Sequence, residues 1–239
     1  MSHSQQQIQI SAKTIGELAT PDFCPRCVWI KLNCKLPYQI FPGIFSSIDS
    51  YSKKITWNYY EKFGKLPDWF NEFGDFEKPV KAPGRSKFFI IDKATNVKLT
   101  GIVDEIVQKK DGSYFIVDYK TAKYTGKQDE LLPVYEIQLN AYALIAENCD
   151  LSPVTGIGLV YYEPQTELTE ANIDNALLDD GFNMPFIAHL LPIELNPEGI
   201  ILPLLKEVRK LVDMSKPPDG IDDCEDCQRL KEIVQLAKD

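Results

Sequence analysis

The spacing of apolar residues along the chain predicts three long helices. The first covers about 46–63 and ends before Gly64, with an apolar stripe that is predicted to face the core: Ile48, Tyr51, Ile55, Tyr59 and Phe63. A second runs over 133–148, where a proline stands at the start and apolar residues fall on one face. A third follows the Asn-Pro pair at 196–197, although Pro203 within its pattern predicts a delayed start.

Shorter apolar runs predict the strands of a mixed sheet. They are bounded by turn residues and cover 87–91, 97–108, 113–119, 156–162 and 185–195. The stretch 64–84 is rich in Pro, Gly and aromatic residues and is predicted to be a loop or lid. The polar stretch 122–132 is predicted to lie over a substrate groove, and the acidic stretch between the last two strands to be a surface loop or short helix. This order of elements predicts an α+β fold with the sheet at its centre.

The turn between the second and third predicted strands decides which charged side chains share a face of the sheet. A two-residue loop pairs Glu105 with Asp118 and turns Asp104 to the opposite face, because side chains alternate along a strand. A three-residue loop over 110–112 instead places Asp104 directly across from Asp118. We favour the three-residue loop, with Gly112 as the left-handed residue of a bulged turn.

Asp104, Asp118 and Lys120 on one face would have a definite chemistry. Two carboxylates about 5 Å apart across a hairpin repel each other unless a cation lies between them. Such oxygen ligands suit Mg²⁺ or Mn²⁺, which can activate water and neutralise charge on a phosphoryl oxygen. Lys120 would orient that water or stabilise the transition state. The alternative is a solvated ion pair on an amphipathic hairpin, and the spacing alone does not decide between the two.

Four of the six cysteines stand in two C-x-x-C pairs: Cys24, Cys27, Cys224 and Cys227. Four thiolates are the ligand set of a structural zinc site or of an iron–sulfur cluster. A metal bound by both pairs would join the two ends of the chain. A redox dithiol and a set of unrelated structural thiols are the alternatives, and the two matched pairs favour a metal.

Length and charge limit the cellular setting and the partners of the chain. Its 239 residues are 44% hydrophobic, which allows a full core, and no apolar run reaches transmembrane length. The N-terminus lacks the order of a signal peptide, so we expect a cytoplasmic protein whose cysteines bind metal. The net charge of −9 opposes binding to phosphate, but basic residues surround the hairpin: Lys78, Lys81, Arg85, Lys87, Lys120, Lys123 and Lys127. We therefore expect weak binding of nucleic acid that a partner subunit strengthens.

The strings GIVDEIV and YFIVDYKTAK, followed by EIQLNAYAL, resemble the motifs of the PD-(D/E)xK nuclease superfamily in its RecB-like branch. The resemblance implies a site for cleavage of phosphodiester bonds that is formed by Asp104, Asp118, Tyr119, Lys120, Gln138 and Tyr142. Asp104, Asp118 and the backbone carbonyl of Tyr119 would bind the metal, and Lys120 would be the catalytic lysine. Gln138 and Tyr142, which are four residues apart on a helix, would border the active site.

Members of this branch usually carry a further His or Glu on an earlier helix. The corresponding stretch, 43–61, contains no histidine, and its acidic residues are Asp49 and Glu61. Asp49 is therefore a candidate for an additional metal ligand. His189 lies in an apolar stretch and is predicted to be structural. This departure from the pattern leaves a second interpretation open, a catalytically weak or inactive nuclease-fold module that binds nucleic acid or a protein partner.

The cysteine pairs are similar to the iron–sulfur staple of RecB-like nucleases, among them CRISPR-associated exonucleases and AddB-type helicase–nuclease subunits. Those proteins typically have one N-terminal and three C-terminal ligands, whereas here the division is two and two. Zn²⁺ therefore competes with a 4Fe-4S cluster as the bound group.

The resemblance as a whole implies a restriction-endonuclease-like core, with a central mixed sheet flanked by helices and with the termini joined by the four cysteines. We expect one RecB-like nuclease domain over 1–239, with a core at about 44–212 and cysteine segments at 20–36 and 219–239. The expected activity is metal-dependent hydrolysis of DNA, exonuclease-like, in DNA repair, recombination or defence. No phosphate-binding glycine loop is present, so any helicase is expected to be a separate partner.

Overall fold

The computed structural model of the chain describes residues 6–20, 22–34, 43–125 and 130–236. Its strands are β1 (Ile8–Ser11), β2 (Phe76–Val80), β3 (Phe89–Asp92), β4 (Val97–Thr100), β5 (Glu105–Lys109), β6 (Tyr114–Thr121), β7 (Val154–Pro164), β8 (Leu177–Leu178), β9 (Gly181–Phe182) and β10 (Phe186–Ile193). Its helices are α1 (Ala12–Gly16), α2 (Pro25–Asn33), α3 (Gly43–Phe63), α4 (Leu132–Glu147), α5 (Ile173–Ala176), α6 (Pro197–Val212) and α7 (Glu225–Leu236), and short 3₁₀ helices cover Glu17–Ala19 and Asp68–Phe73.

A five-stranded sheet forms the centre of the fold, with the strand order β10-β7-β6-β5-β2. β6 and β7 run parallel, and the other neighbours run antiparallel. Helix α4 packs on one face, where Ile106, Ile116 and Leu159 are buried. The 3₁₀ helix Asp68–Phe73 packs with α3 on the other face, over Val117. The predicted α+β fold with a central mixed sheet flanked by helices is confirmed.

The predicted strand 97–108 is wrong, because the chain divides it between two sheets. β4 pairs with β1 and β3 in a separate three-stranded sheet, and β5 belongs to the central sheet. A Cβ atom at Gly101 in the break would lie 2.7 Å from a ring carbon of Tyr142, so the chain passes α4 here only because this residue is glycine. The break ends at Asp104, directly before β5.

The prediction of a loop or lid over 64–84 is also wrong in part. This stretch contains the 3₁₀ helix Asp68–Phe73 and the edge strand β2, which pairs with β5. The rings of Phe70 and Phe73 are buried against the central sheet. These aromatic residues therefore belong to the hydrophobic core.

The three long predicted helices are present as α3, α4 and α6. The predicted delay in α6 is wrong, since the helix begins at Pro197 and includes Pro203. The side chain of Asn196 accepts a hydrogen bond from the Gly199 N–H at 3.2 Å and so caps the helix. Of the helices that the structure describes, none combines the length and the apolar character that a bilayer crossing needs.

The packing face of helix α3 is rotated from the predicted apolar stripe, although three residues of the stripe, Ile48, Ile55 and Tyr59, are half-buried. Tyr51 and Phe63 are 66% and 53% exposed, whereas Ser52 and Thr56 are buried. The hydroxyl of Thr56 lies 2.7 Å from the phenol oxygen of Tyr119 on β6. A polar contact therefore helps to set the rotation of α3, and this rotation decides which α3 side chains reach the end of β5.

Candidate active site and cysteine cluster

The hairpin of β5 and β6 has the predicted turn and register. Its loop has three residues and ends at Gly112, whose φ of 86° lies in the left-handed region. Glu105 pairs with Val117 in the ladder, and continuation of this register by one residue sets Asp104 across from Asp118. The three-residue loop is confirmed.

Asp104 is held in place through both of its carboxylate oxygens. Its Oδ2 accepts a hydrogen bond of 2.9 Å from the backbone N–H of Tyr119. Its Oδ1 lies 2.8 Å from Nζ of Lys53 on α3. The side chain of Asp104 is 11% exposed, so it is reachable from one side of the site.

Asp118 is almost completely buried between Asp104, Lys120 and Gln138. Its Oδ1 accepts a hydrogen bond of 3.3 Å from Nε2 of Gln138, and its Oδ2 lies 2.5 Å from Nζ of Lys120. Burial and the neighbouring charge of Asp104 raise the pKa of Asp118 to about 7, although Lys120 acts in the opposite direction. The structure therefore brings together two carboxylates, each of which has a lysine ammonium group as its partner.

Gln138 and Tyr142, which were predicted to border the site, contact each other on α4. Nε2 of Gln138 donates to the Tyr142 hydroxyl at 2.7 Å and reaches Asp118 with its other hydrogen. Burial raises the pKa of Tyr142, so its phenol stays neutral. Helix α4 thus orients Asp118 through Gln138.

Lys120 lies at the border between the buried carboxylates and solvent. Its ammonium group lies 4.0 Å from the centre of the Tyr135 ring, and its side chain is 18% exposed. The ring and Asp118 hold the cation from two sides. A phosphate that approaches from the open side would meet this positive charge first.

Lys53 is a site residue that the sequence analysis missed. Its Nζ lies between two carboxylates, 2.8 Å from Asp104 and 2.7 Å from Asp49 one helical turn earlier. Burial lowers the pKa of Lys53, but the charges and hydrogen bonds of Asp104 and Asp49 raise it more, and the net shift is upward. Asp49 is linked to Asp104 through Lys53, and Glu61 is exposed. The i,i+4 spacing of Asp49 and Lys53 was a sequence signal for this pair, but a lysine is not among the His and acidic ligands that the family resemblance implies on α3.

Glu105 forms a second buried polar group on the opposite face of the sheet. Its side chain accepts hydrogen bonds from Nε1 of Trp57 at 3.1 Å and from the Tyr119 phenol at 3.4 Å. Burial raises the pKa of Glu105 to about 8, so the carboxyl group is mostly protonated at neutral pH. These contacts attach α3 to the sheet and thereby keep Lys53 beside Asp104.

The carboxylate pair suits a divalent cation. Oδ2 of Asp118 is buried and, apart from its close approach to Lys120, receives no well-directed hydrogen bond from the part of the chain that the structure describes. Carboxylate oxygens on adjacent strands are the ligands that Mg²⁺ and Mn²⁺ prefer. The described contacts of Tyr119 use its N–H and its phenol, so a role for its carbonyl stays a prediction.

The two C-x-x-C pairs meet at the starts of two helices. Cys24 and Cys224 directly precede α2 and α7, so that Cys27 and Cys227 lie in the first turns of these helices. The four sulfur atoms lie within 4.8 Å of one another. Although burial acts in the other direction, hydrogen bonds from the Cys27 and Ile221 backbone lower the pKa of Cys24 to about 7. The predicted meeting of the chain's two ends at the cysteines is confirmed.

The distances between the sulfur atoms suit one metal ion. Sγ of Cys27 lies 3.4 Å from that of Cys227 and 3.7 Å from that of Cys224, and the distance from Cys24 to Cys227 is also 3.7 Å. With Zn–S bonds of about 2.3 Å, the thiolates of a tetrahedral site lie about 3.8 Å apart. An iron–sulfur cluster places several iron and sulfide ions between its thiolates and needs a wider spacing. The cysteine geometry therefore favours Zn²⁺.

Lys53→Met is expected to strengthen the binding of Mn²⁺ at Asp104 and Asp118 by about tenfold, because a competing cation is removed from Asp104. Electron paramagnetic resonance of free Mn²⁺ during a titration measures this affinity. Lys54→Met, at the exposed neighbouring position, is the matched control. An equal Mn²⁺ affinity in the parent and in Lys53→Met would show that Lys53 does not compete with the metal.

Comparison with known proteins gives a family match that covers the hairpin, α4 and the second cysteine pair. A family model described as the PD-(D/E)XK nuclease superfamily matches residues 52–230. No curated protein matches the chain. A solved structure titled "Crystal structure of SSO0001" is 12% identical in sequence and has a TM-score of 0.41, with 90% of this chain and 82% of that chain covered.

Proposed function

Because this chain belongs to the PD-(D/E)XK nuclease superfamily, we propose that it hydrolyses phosphodiester bonds of nucleic acid at Asp104 and Asp118 with Mg²⁺ or Mn²⁺. The observation that carries this proposal is the buried oxygen of Asp118 beside Asp104 and Lys120. We favour DNA over RNA as the substrate and an exonuclease-like activity in DNA repair, recombination or defence. The resemblance to RecB-like nucleases, which include CRISPR-associated exonucleases, is the ground for this choice.

Each side chain of the site has a role that follows from its contacts. The backbone N–H of Tyr119 orients Asp104, and Gln138 orients Asp118. A bound Mg²⁺ or Mn²⁺ would activate water and neutralise charge on the phosphoryl oxygens. Lys120, whose ammonium borders solvent, would hold the phosphate and stabilise the charge that develops on it.

We also propose that the chain is a single nuclease domain of the RecB-like branch, with a structural metal at its cysteines. The two joined C-x-x-C pairs support this branch, and their sulfur spacing favours Zn²⁺ over a 4Fe-4S cluster. A bound metal would connect α2 to α7 and so stabilise the fold. A helicase or another protein subunit would be a separate partner.

One observation favours a second candidate, a catalytically weak or inactive module that binds nucleic acid or a protein. Nζ of Lys53 lies 2.8 Å from Asp104 and supplies positive charge where a metal would otherwise bind. In this case Lys53 and Lys120 would neutralise the two carboxylates permanently. Phosphate would then bind to the lysines without being cleaved.

A cleavage assay separates the two candidates. End-labelled single-stranded DNA, duplex DNA and RNA of the same sequence are incubated with Mg²⁺, with Mn²⁺ or with a chelator. We expect metal-dependent cutting that falls by at least about 10²-fold in Lys120→Ala, because a cation aimed at the developing charge is lost. Lys210→Ala, an exposed lysine on α6, is the control and should cut like the parent. No cutting by folded parent protein would favour the inactive module.

A further inference from the structure

A group of aromatic side chains extends from Lys120 to the edge of the central sheet. The rings of Tyr124 and His189 are stacked, with 4.4 Å between their centres and 13° between their planes. The centre of the Tyr161 ring lies 5.6 Å from that of Tyr124. Nε2 of His189 lies 2.9 Å from Glu163, and the His189 side chain is 30% exposed. The aromatic pair is thus held in place, and both of its side chains are partly exposed to solvent.

The strand register sets this aromatic pair at the level of the candidate catalytic lysine. Lys120 on β6 pairs with Tyr161 on β7, and Tyr161 pairs with His189 on β10. Partners in register share a face of the sheet, and neighbouring strands are about 4.8 Å apart, so the backbone of His189 lies about 10 Å from that of Lys120. β10 is an edge strand of this sheet. A path on one face therefore leads from the site to the outside of the fold.

The chemistry along this path changes from cationic to aromatic. Lys120 offers a positive charge for a phosphate, whereas the Tyr124 and His189 rings offer flat faces next to the carboxylate of Glu163. A carboxylate repels phosphate, so the ring pair suits the uncharged part of a nucleotide. Bases stack on aromatic side chains without preference for sequence, because every base has a flat π-face. In a duplex, base faces inside the stack are covered by their neighbours.

We propose that the Tyr124–His189 pair is a stacking subsite for one unpaired nucleobase, next to the nucleotide whose phosphate lies at Lys120. The substrate class is then single-stranded nucleic acid, or a duplex with an unpaired end. This inference rests on the proposed function, since it takes Lys120 as the phosphate contact. The stack holds the substrate strand and takes no part in the chemistry.

Fluorescence of 2-aminopurine tests the subsite without cleavage. Single-stranded oligonucleotides carry this base at one position each and bind the protein in Ca²⁺, while cutting of the same strands is measured separately in Mg²⁺. We expect stacking to quench the fluorescence at one position beside the cut site. Tyr124→Ala should abolish that quench and weaken binding about tenfold, whereas Tyr124→Phe should behave like the parent. Phe182→Ala, which removes an exposed ring from β9, is the control for general loss of aromatic surface.

The outcomes separate this inference from the proposed function. If the parent protein quenches the 2-aminopurine fluorescence at one position but does not cut the strand, the result supports both the subsite and the inactive module. If the parent cuts the strand without a position-specific quench, only the subsite is overturned. Equal losses of quenching and of binding in Tyr124→Ala and Tyr124→Phe would overturn the subsite, because the phenol hydroxyl would then only anchor its loop. A parent protein that binds no single strand would also overturn the proposal. If Tyr124→Ala does not fold, His189→Leu and His189→Phe give the same comparison on β10.

Discussion

Asp118→Asn is expected to reduce Mg²⁺-dependent cleavage by at least about 10³-fold while the chain stays folded, because several kcal/mol of charge stabilisation at the metal site is lost. The substitution keeps the volume of the side chain and leaves an oxygen that Gln138 can still contact. Cleavage of an end-labelled oligonucleotide in Mg²⁺ measures the loss. Asp179→Asn, at an exposed position between β8 and β9, is the matched control.

Asp118→Asn is also expected to change how the melting temperature depends on pH, whereas substitution of a surface carboxylate is not. The pKa of Asp118 is raised to about 7 in the folded chain, so the stability that this group contributes is present below pH 4 and is lost as the pH rises through 7. Without added Mg²⁺, Asp118→Asn should therefore melt at a temperature equal to or above that of the parent at pH 8, and the difference should shrink at pH 5. Unchanged cleavage in a pure, folded preparation would remove Asp118 from the active site.

Cys224→Ser is expected to abolish metal binding at the four cysteines and to lower the free energy of unfolding by several kcal/mol, because the binding free energy of a structural metal contributes to folding. The loss would act on stability because a metal held by both cysteine pairs would join α2 to α7 across most of the chain. Elemental analysis together with thermal melting measures both effects. Cys34→Ser, at an exposed cysteine outside the cluster, should keep the metal and melt like the parent.

The parent protein provides two further readouts of this prediction. A strong chelator should lower its melting temperature and should leave that of Cys224→Ser unchanged, since the variant has no metal to lose. Zinc predicts one metal ion per chain and no colour, whereas a 4Fe-4S cluster gives iron, sulfide and a brown protein. A Cys224→Ser variant that melts like the parent would contradict a structural role for the cluster.

The two predicted centres are connected through the packing of helices. α2 packs against α6, and α6 packs against α4, which carries Gln138. The cysteine cluster is therefore linked through α6 to the helix whose Gln138 contacts Asp118. For this reason Asp118→Asn should affect cleavage with little loss of stability, and Cys224→Ser should affect stability first.

Local sequence was sufficient for the elements whose structure depends on near neighbours. The glycine at 112 and the alternation along β6 predicted the hairpin register, because a left-handed turn residue and the two-residue period of a strand act over a few positions. The spacing of Gln138 and Tyr142 placed them on one face of α4 for the same reason. The two matched C-x-x-C motifs indicated that the four cysteines would meet, since a structural metal takes four ligands, and the four sulfur atoms do lie together.

Only the tertiary structure decided the features that depend on contacts between distant segments. The apolar pattern did not show that the chain leaves one sheet at Gly101 and enters another, because the close approach at this glycine involves the ring of Tyr142 on a helix far along the chain. The apolar stripe of α3 gave the wrong rotation, since buried hydrogen bonds of Thr56 and Trp57 to the sheet contribute to the packing along with hydrophobic area. That rotation brings Lys53 to Asp104, and no pattern of neighbouring residues in the sequence predicts this contact. The spacing of the cysteine sulfurs likewise depends on how α2 and α7 meet, and the two C-x-x-C motifs by themselves do not determine it.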